Sequence, residues 1–315
     1  MRVCVTAVTG TFDTGLSSVL DTLQIAGELA RAAGRESPFD LSVVGVRRRV
    51  TTQLGMRVPV APLPRSRPDV VIVPALGAKF PEALSVALRE RESTDLGNVL
   101  REWSRAGTLL AAACTGTFLV AQTGLLDDRH ATTSWWLGPY FRERFPRVLL
   151  DDSKLVVQSR GCVTAGAALS HVDLALWLVR RHSPALARTT ANYLTYDDRS
   201  SQTAFVMHDH LLQPDEIVER FEHWARKNLA AFSLAGAARA VGTSERTLER
   251  RLRQALGKSP TAFVQDLRVE RAVHRLRSSQ TSLEEIAAEV GYSDGVTLRT
   301  LLRRRTGRGV RELRR

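Results

Sequence analysis

The chain has 315 residues, of which 43% are hydrophobic and 25% charged, with a formal net charge of +12. At ~150 residues per domain that length suits two domains, and the composition is that of a globular protein, not a disordered one. Three cysteines (Cys4, Cys114, Cys162) lack disulfide-framework or metal-ligand spacing, and no run reaches the ~18 uncharged apolar residues of a membrane span, so a zinc finger, a secreted toxin and a membrane protein are all excluded.

Residues 1–205 alternate between strand and helix patterns. MRVCVTAVTG opens the chain with a short apolar run, Val3 to Val8, and lacks the apolar segment and cleavage site of a secretory signal; a reducing cytoplasm is expected. A helix is predicted from Ser17 to Ala33, its apolar face carried by Leu20, Leu23, Ile25, Leu29 and Ala30. A strand follows at Leu41–Val46. The continuous apolar run Asp69–Gly77 (DVVIVPALG) then reads as a strand buried on both faces. Helices near Pro81–Arg91 and Leu96–Arg105 precede a second buried strand, Thr108–Cys114. Beyond it come a helix, a hairpin around Leu149–Val163 and a helix from Ala167 to His182. This βαβα rhythm predicts a parallel sheet covered by helices on both faces, a flavodoxin-like α/β sandwich.

The rhythm stops at MHDHLLQPD (Met207–Asp215), which places a linker at residues 206–216. His208, Asp209 and His210 there read as ordinary linker residues, not a metal clip. Everything after it is helical in pattern. From Ile217 to Arg315 there are 21 Lys or Arg against 11 Asp or Glu, a net of +10, which leaves only +2 for residues 1–216. A basic module attached to a near-neutral one is the charge layout of a nucleic-acid binder.

Within that module, Leu234–Pro260 runs as a helix of small residues, a turn at Gly242, a hydroxyl cap at Thr243 or Ser244, and a second helix with Leu248, Leu252 and Leu256 on one face. That is helix–turn–helix grammar. It recurs in Ser282–Gly307: Ile286, Ala287 and Val290 precede Gly291, Ser293 or Asp294 caps the next helix, and Leu298, Leu301 and Leu302 face inward. Pro260–Leu276 reads as one connecting helix.

The strings GKSPTAFVQDLRVERA, SLEEIAAEVGYSD and LRTLLRRRTG resemble the AraC/XylS-type DNA-binding domain over about a hundred residues. The resemblance implies seven helices, two of them entering adjacent major-groove segments. Mapped by position, the first recognition helix presents Arg246, Glu249, Arg250 and Arg253, and the second presents Val296, Thr297, Arg299, Thr300 and Arg303. Arginine pairs bidentately with guanine, and Val296 suits a thymine methyl. Arg304, Arg305 and Arg308 are assigned to phosphate. The chain departs from the family's usual ending, Ser-Pro followed by Tyr-Arg, with GRGVRELRR.

In the N-terminal domain, Cys114 stands between a buried strand and a helix, the strand–turn–helix setting of a nucleophile elbow, where a helix N-terminus is expected to lower a thiol pKa. Cys4 and Cys162 read as small buried hydrophobes, and Trp135 and Trp136 as core. ACTGTFLVAQTGLLDDRHATTSWW, FPRVLLDD and VTAGAALSHVDLALWLV resemble the GlxA-type transcriptional regulators, whose N-terminal domain is similar to the PfpI-type, class I glutamine amidotransferase-like fold. In catalytic relatives of that fold the elbow cysteine works with a carboxylate, which maps to Asp13, and in the protease-like branch with a following His, where this chain has Thr115. The isonitrile hydratase-like branch carries ATTHW where this chain has ATTSW, with Ser134 in the His position. A Cys–His dyad is therefore unsupported.

Cys114 can be an inherited elbow residue in a ligand-sensing pocket, a redox or electrophile sensor, or a working nucleophile. The reading adopted is a non-enzymatic, cytoplasmic and nucleoid-associated transcription regulator: residues 1–205 for sensing and dimerisation, residues 217–315 for DNA. Cys114, Asp13 and Thr115 are then vestigial or sensor residues. Its expected partners are operator double-stranded DNA, a second copy of the chain, RNA polymerase and a small molecule of unassigned identity, with no metal, cofactor or membrane. The competing class is a Cys114-dependent hydratase or hydrolase carrying a DNA-binding tail.

Overall fold

The apolar runs of the N-terminal half become strands whose alternate side chains enter two different cores. The computed structural model describes residues 1–196, 215–306 and 309–314, and the chain divides into units Met1–Gln202 and Thr203–Arg315. In chain order the first unit contains β1 (Arg2–Thr6), α1 (Asp13–Ala32), β2 (Asp40–Gly45), β3 (Arg49–Thr51), β4 (Arg57–Pro59), β5 (Ala61–Pro62) and β6 (Val70–Val73). It continues through α2 (Pro81–Arg89), α3 (Arg91–Arg105), β7 (Leu109–Ala113), α4 (Gly116–Gln122), β8 (His130–Ala131), a 3-10 turn (Trp135–Leu137) and α5 (Gly138–Arg144). It closes with β9 (Leu149–Leu150), β10 (Val156–Ser159), β11 (Cys162–Ala165), α6 (Ser170–His182) and α7 (Pro184–Tyr193).

Seven strands form one sheet in the order β10-β11-β7-β6-β1-β2-β5. Every pairing in it is parallel except β10 with β11. Val71, Val73, Leu110 and Ala112 face the core closed by Leu84, Leu88, Leu96, Leu100 and Phe118. Val70, Ile72, Ala111 and Ala113 face the other core, closed by Leu16, Val19, Leu23, Leu174 and Leu178. Burial on both faces is why these strands read as unbroken apolar runs.

Two local expectations are corrected, and one group of strands was not expected. The hairpin is β10–β11 alone, because Leu149–Leu150 pairs in parallel with His130–Ala131. The antiparallel pair β3–β4 and the short β5 carry mostly exposed residues and leave no periodic signal. On α1 the fully buried stripe is Leu16, Val19, Leu23, Ala26 and Ala30, while Leu20, Ile25 and Leu29 are half-buried.

The second unit is helical throughout its described residues: α8 (Glu216–Lys227), α9 (Leu234–Ala240), α10 (Glu245–Leu256), α11 (Pro260–Ser278), α12 (Leu283–Val290), α13 (Gly295–Thr306) and α14 (Val310–Leu313). These are the seven helices the resemblance implies. The expected linker ends two residues early, since Asp215 caps α8 by accepting hydrogen bonds from the backbone of Ile217 and Val218. The rest of that linker, with His208, Asp209 and His210, lies outside the described residues.

Each helix–turn–helix has its own core. Phe221, Leu248, Leu252, Phe263 and Leu267 gather under the first, and Ala272, Leu276, Ile286, Leu298 and Leu302 under the second. Helix α11 contributes its first half to one core and its second half to the other.

Candidate nucleic-acid interface and cysteine elbow

The turn before each outer helix is set by a glycine in the left-handed region, Gly242 at φ +72° and Gly291 at φ +88°, where a side chain would be strained. Of the alternative caps, Ser244 begins α10, its hydroxyl accepting from the Thr247 N–H at 3.1 Å. Asp294 begins α13, its carboxylate accepting from the Thr297 N–H at 2.7 Å. That bond and those from the hydroxyls of Thr297 and Ser293 hold the Asp294 carboxyl below the usual carboxylate range. With Leu248 and Leu252 buried on α10, and Leu298 and Leu302 on α13, the opposite faces are committed to solvent.

The arginines of this unit fall into two groups. Arg251 is paired with Asp215 at 2.9 Å, Arg271 and Arg275 with Glu289 at 3.2 and 2.8 Å, and Arg268 donates to the Leu229 carbonyl. Arg305 pairs with the buried carboxylate of Asp266 at 3.3 Å, which Lys258 also holds at 3.0 Å. Arg305, expected at phosphate, is thus a strut within the unit.

Arg246, Arg253, Arg299, Arg303 and Arg304 are exposed, and their guanidiniums make no ion pair or hydrogen bond among the described residues. Arg250 is exposed with one long contact to Gln254, at 3.4 Å, and Glu249 is half-buried beside it. Arg246, Glu249, Arg250 and Arg253 line one shallow concavity together with Gln254; Arg299, Thr300, Arg303 and Arg304 line a second with Arg311. The sequence reading missed Gln254 and Arg311, although Gln254 follows Arg250 by one helical turn. Val296 and Thr297 are also exposed, while Arg308 lies outside the described residues.

In the N-terminal unit, Cys114 adopts φ +55° between β7 and α4, a backbone conformation rare for a side chain with a Cβ. Its neighbourhood holds it there. The Cys114 N–H donates to the Ala165 carbonyl at 2.9 Å, and its own carbonyl accepts from the Thr133 hydroxyl at 2.7 Å. Gly116 lies so close to the Val73 and Pro74 carbonyls that an added Cβ would collide with both. The sulfur sits 2.8 Å from the Ser134 hydroxyl, so the residue in the His position of the hydratase-like motif is the thiol's partner.

The expectation of a lowered thiol pKa is overturned. Cys114 is only 5% exposed, and burial pushes its thiol up, outweighing the hydrogen bonds from Ser134 and Thr115. Thr115 spends its hydroxyl on the Leu76 carbonyl at 2.6 Å. Asp13 is buried at the first residue of α1, where one carboxylate oxygen accepts from the Leu54 N–H at 3.0 Å and the other has no partner among the described residues. No hydrogen bond joins Asp13 to Cys114 among those residues. Cys4 and Cys162 are buried strand residues, and Trp135 and Trp136 are half-buried with their rings edge to face.

His171 is fully buried and structural. Its Nε2 accepts from the Ala75 N–H at 3.1 Å and its Nδ1 lies 2.6 Å from the Ala168 carbonyl, which fixes the proton on Nδ1; burial lowers its pKa to about 4. No cluster of three metal-ligating side chains occurs among the described residues, and no helix there is long and apolar enough to cross a membrane.

A mostly parallel sheet with a strained cysteine at a strand-to-helix elbow, followed by paired helix–turn–helix units, defines a class of chain that joins an α/β elbow domain to a basic helical one. The chain belongs to the DJ-1/PfpI family, which it matches over residues 1–181, and residues 237–315 match a helix-turn-helix domain. Among curated proteins, it is 26% identical over 225 residues to the HTH-type transcriptional regulator ArgR of Pseudomonas aeruginosa, covering 64% of this chain and 63% of the relative. It is 26% identical over 205 residues to the HTH-type transcriptional regulator GlxA of Rhizobium meliloti, covering 62% and 61%. The match spans between 54% and 63% of the length of such relatives. Among solved structures, an AraC family transcriptional regulator from Pseudomonas putida superposes with a TM-score of 0.52 at 20% identity, over 61% of this chain and 98% of that one. Drosophila melanogaster DJ-1beta superposes with a TM-score of 0.50 at 18% identity, over 62% and 98%. The family resemblances read from the cysteine and arginine motifs are borne out.

Proposed function

We propose that this chain is a sequence-specific regulator of transcription that binds double-stranded DNA as a homodimer in the cytoplasm. The division among the arginines carries the reading. Those that brace the helical unit have carboxylate or main-chain carbonyl partners, whereas those on the outer faces of α10 and α13 have none beyond the long contact of Arg250 to Gln254 and are available to guanine edges and phosphates. The nineteen residues of α11, about 28 Å at the helical rise, join the cores under the two outer helices, a length on the scale of one turn of duplex DNA.

In this reading residues 1–205 sense and dimerise, 206–214 link, and 215–315 bind DNA. Arg246, Glu249, Arg250 and Arg253 read one box, and Val296, Thr297, Arg299, Thr300 and Arg303 the next. A small ligand acts by changing which dimer geometry is populated, and RNA polymerase is met at the promoter. Cys114 performs no turnover: its thiol is buried, its pKa is raised, and Ser134 stands where a base would be needed.

The test is selection of random duplexes by the full-length chain at near-physiological salt, beside an Arg250→Ala/Arg299→Ala variant. Two short boxes about one helical turn apart, lost in the variant, are the expected result. Weak, sequence-blind binding equal in both proteins overturns it.

A further inference from the structure

The two outer helices differ in what they leave unspent. On α10 the outward residues are charged or amide-bearing: Arg246, Glu249, Arg250, Arg253 and Gln254. On α13 the first two turns present Val296, 65% exposed, between two threonines whose hydroxyls are already engaged. The Thr297 hydroxyl donates to the Asp294 carboxylate at 3.0 Å, and the Thr300 hydroxyl donates to the Val296 carbonyl at 3.0 Å. With those protons spent, the two threonines have no donor left for a base edge; Val296 and the threonine methyls are what the face adds beside hydroxyl acceptors. Positions 296 and 300 are neighbours at i, i+4 and positions 297 and 300 at i, i+3, so Thr300 links the exposed methyl-bearing side chains along one face, which also carries the free guanidiniums of Arg299 and Arg303. An apolar patch of this size on an otherwise polar, cationic helix face has a natural counterpart in the major groove, the 5-methyl group of thymine, the one apolar feature in the base-edge pattern.

Resting on the DNA-binding reading above, we propose that α13 reads its box through pyrimidine 5-methyl groups while α10 reads its box through hydrogen bonds alone. The box contacted by α13 is then thymine-bearing, with guanine beside it for Arg299 or Arg303. The α10 box is insensitive to the same methyls.

The experiment uses the full chain and its selected operator, each box being assigned to a helix by whether Arg250→Ala or Arg299→Ala relaxes it. Thymines of one box at a time are replaced by deoxyuridine, which removes the methyl and leaves every base-pair hydrogen bond. Uracil in the α13 box should weaken binding about fourfold for each contacted methyl, on the transfer free energy of a buried methylene-sized group. Uracil in the α10 box should change nothing, and Val296→Ser, at an exposed position that leaves the fold intact, should abolish most of the uracil effect. An operator bound equally well with uracil in either box, or an effect that survives in Val296→Ser, overturns this proposal and leaves the regulator reading standing. A chain that selects no motif overturns both.

Discussion

Around Cys114 the thiol, its backbone and the hydroxyls of Thr115, Thr133 and Ser134 are all answered inside the protein, whereas on the outward faces of α10 and α13 the guanidiniums of Arg246, Arg253, Arg299, Arg303 and Arg304 are left open to water. Both places carry motifs that invite a functional reading. The difference is in the polar groups each has left over. A site prepared for a partner from outside keeps donors unpaired where solvent can hold them until the partner arrives; a site whose donors are spent is holding up its own architecture. On that criterion the arginine faces are built for an encounter, and the elbow is built to keep a strained cysteine in place.

The largest expected effect concerns the closed side of that comparison. His171 is buried neutral, with a pKa lowered to about 4 from an unfolded value near 6.5, so between those values the unfolded chain binds a proton that the native one does not. Its contribution is fully present above about pH 6.5 and is lost as pH falls toward 4. Denaturant titrations of the full chain should show the N-terminal unit losing about 3 kcal/mol across that window, and a His171→Gln variant should lose much less. Equal pH dependence in both breaks the assignment.

Next in size is Asp266, which holds Lys258 and Arg305. Asp266→Ala should destabilise the helical unit by about 2 kcal/mol, less than a fully buried pair because both cations reach solvent. Arg304→Ala, one residue from Arg305, should leave thermal unfolding unchanged, weaken DNA binding on every sequence alike and reduce the slope of log K against log salt by about 0.9. If Arg304 and Arg305 variants behave alike, the division into bracing and free arginines fails.

Smallest is the effect of Cys114→Ser on DNA, expected within twofold of the parent by fluorescence anisotropy. With its pKa raised by burial, the native thiol should also alkylate more slowly at neutral pH than in the denatured chain, as followed by mass spectrometry. Rapid native alkylation would reopen the elbow as a reactive site.

Much of this was legible in the residues, for identifiable reasons. The runs at Val70–Val73 and Leu109–Ala113 are apolar at every position because both faces of the sheet are covered, and the helix–turn–helix pairs announce themselves through Gly242 and Gly291 with their caps and leucine spacing. Strands β3 to β5 and β8–β9 were not legible, being two or three residues long and largely exposed. Helix α7 had a signal that went unread: Ser183 before Pro184, whose hydroxyl accepts from the Leu186 N–H as an N-cap. At the elbow, the motif located Cys114 and the replacement at Ser134 but not their contact, which depends on Thr133 and Ser134, just before the 3-10 turn, meeting the residue that follows β7, and spacing along the chain does not encode that. The thiol's pKa was misjudged because a helix terminus is visible in a sequence while the depth of burial around it is not.

Helix α11 carries a consequence of another kind. Its allegiance passes from one core to the other between Leu267 and Ala272, so the two outer helices are keyed to a single shaft. One residue inserted in that interval would advance the second outer helix by about 1.5 Å and turn it by about 100°, putting the two helices out of phase and parting Arg305 from Asp266, an ion pair that spans the interval. On the DNA-binding reading proposed above, the angular relation between the two boxes would therefore be set by residue count within α11, and a chain altered there would be expected to select a different spacing.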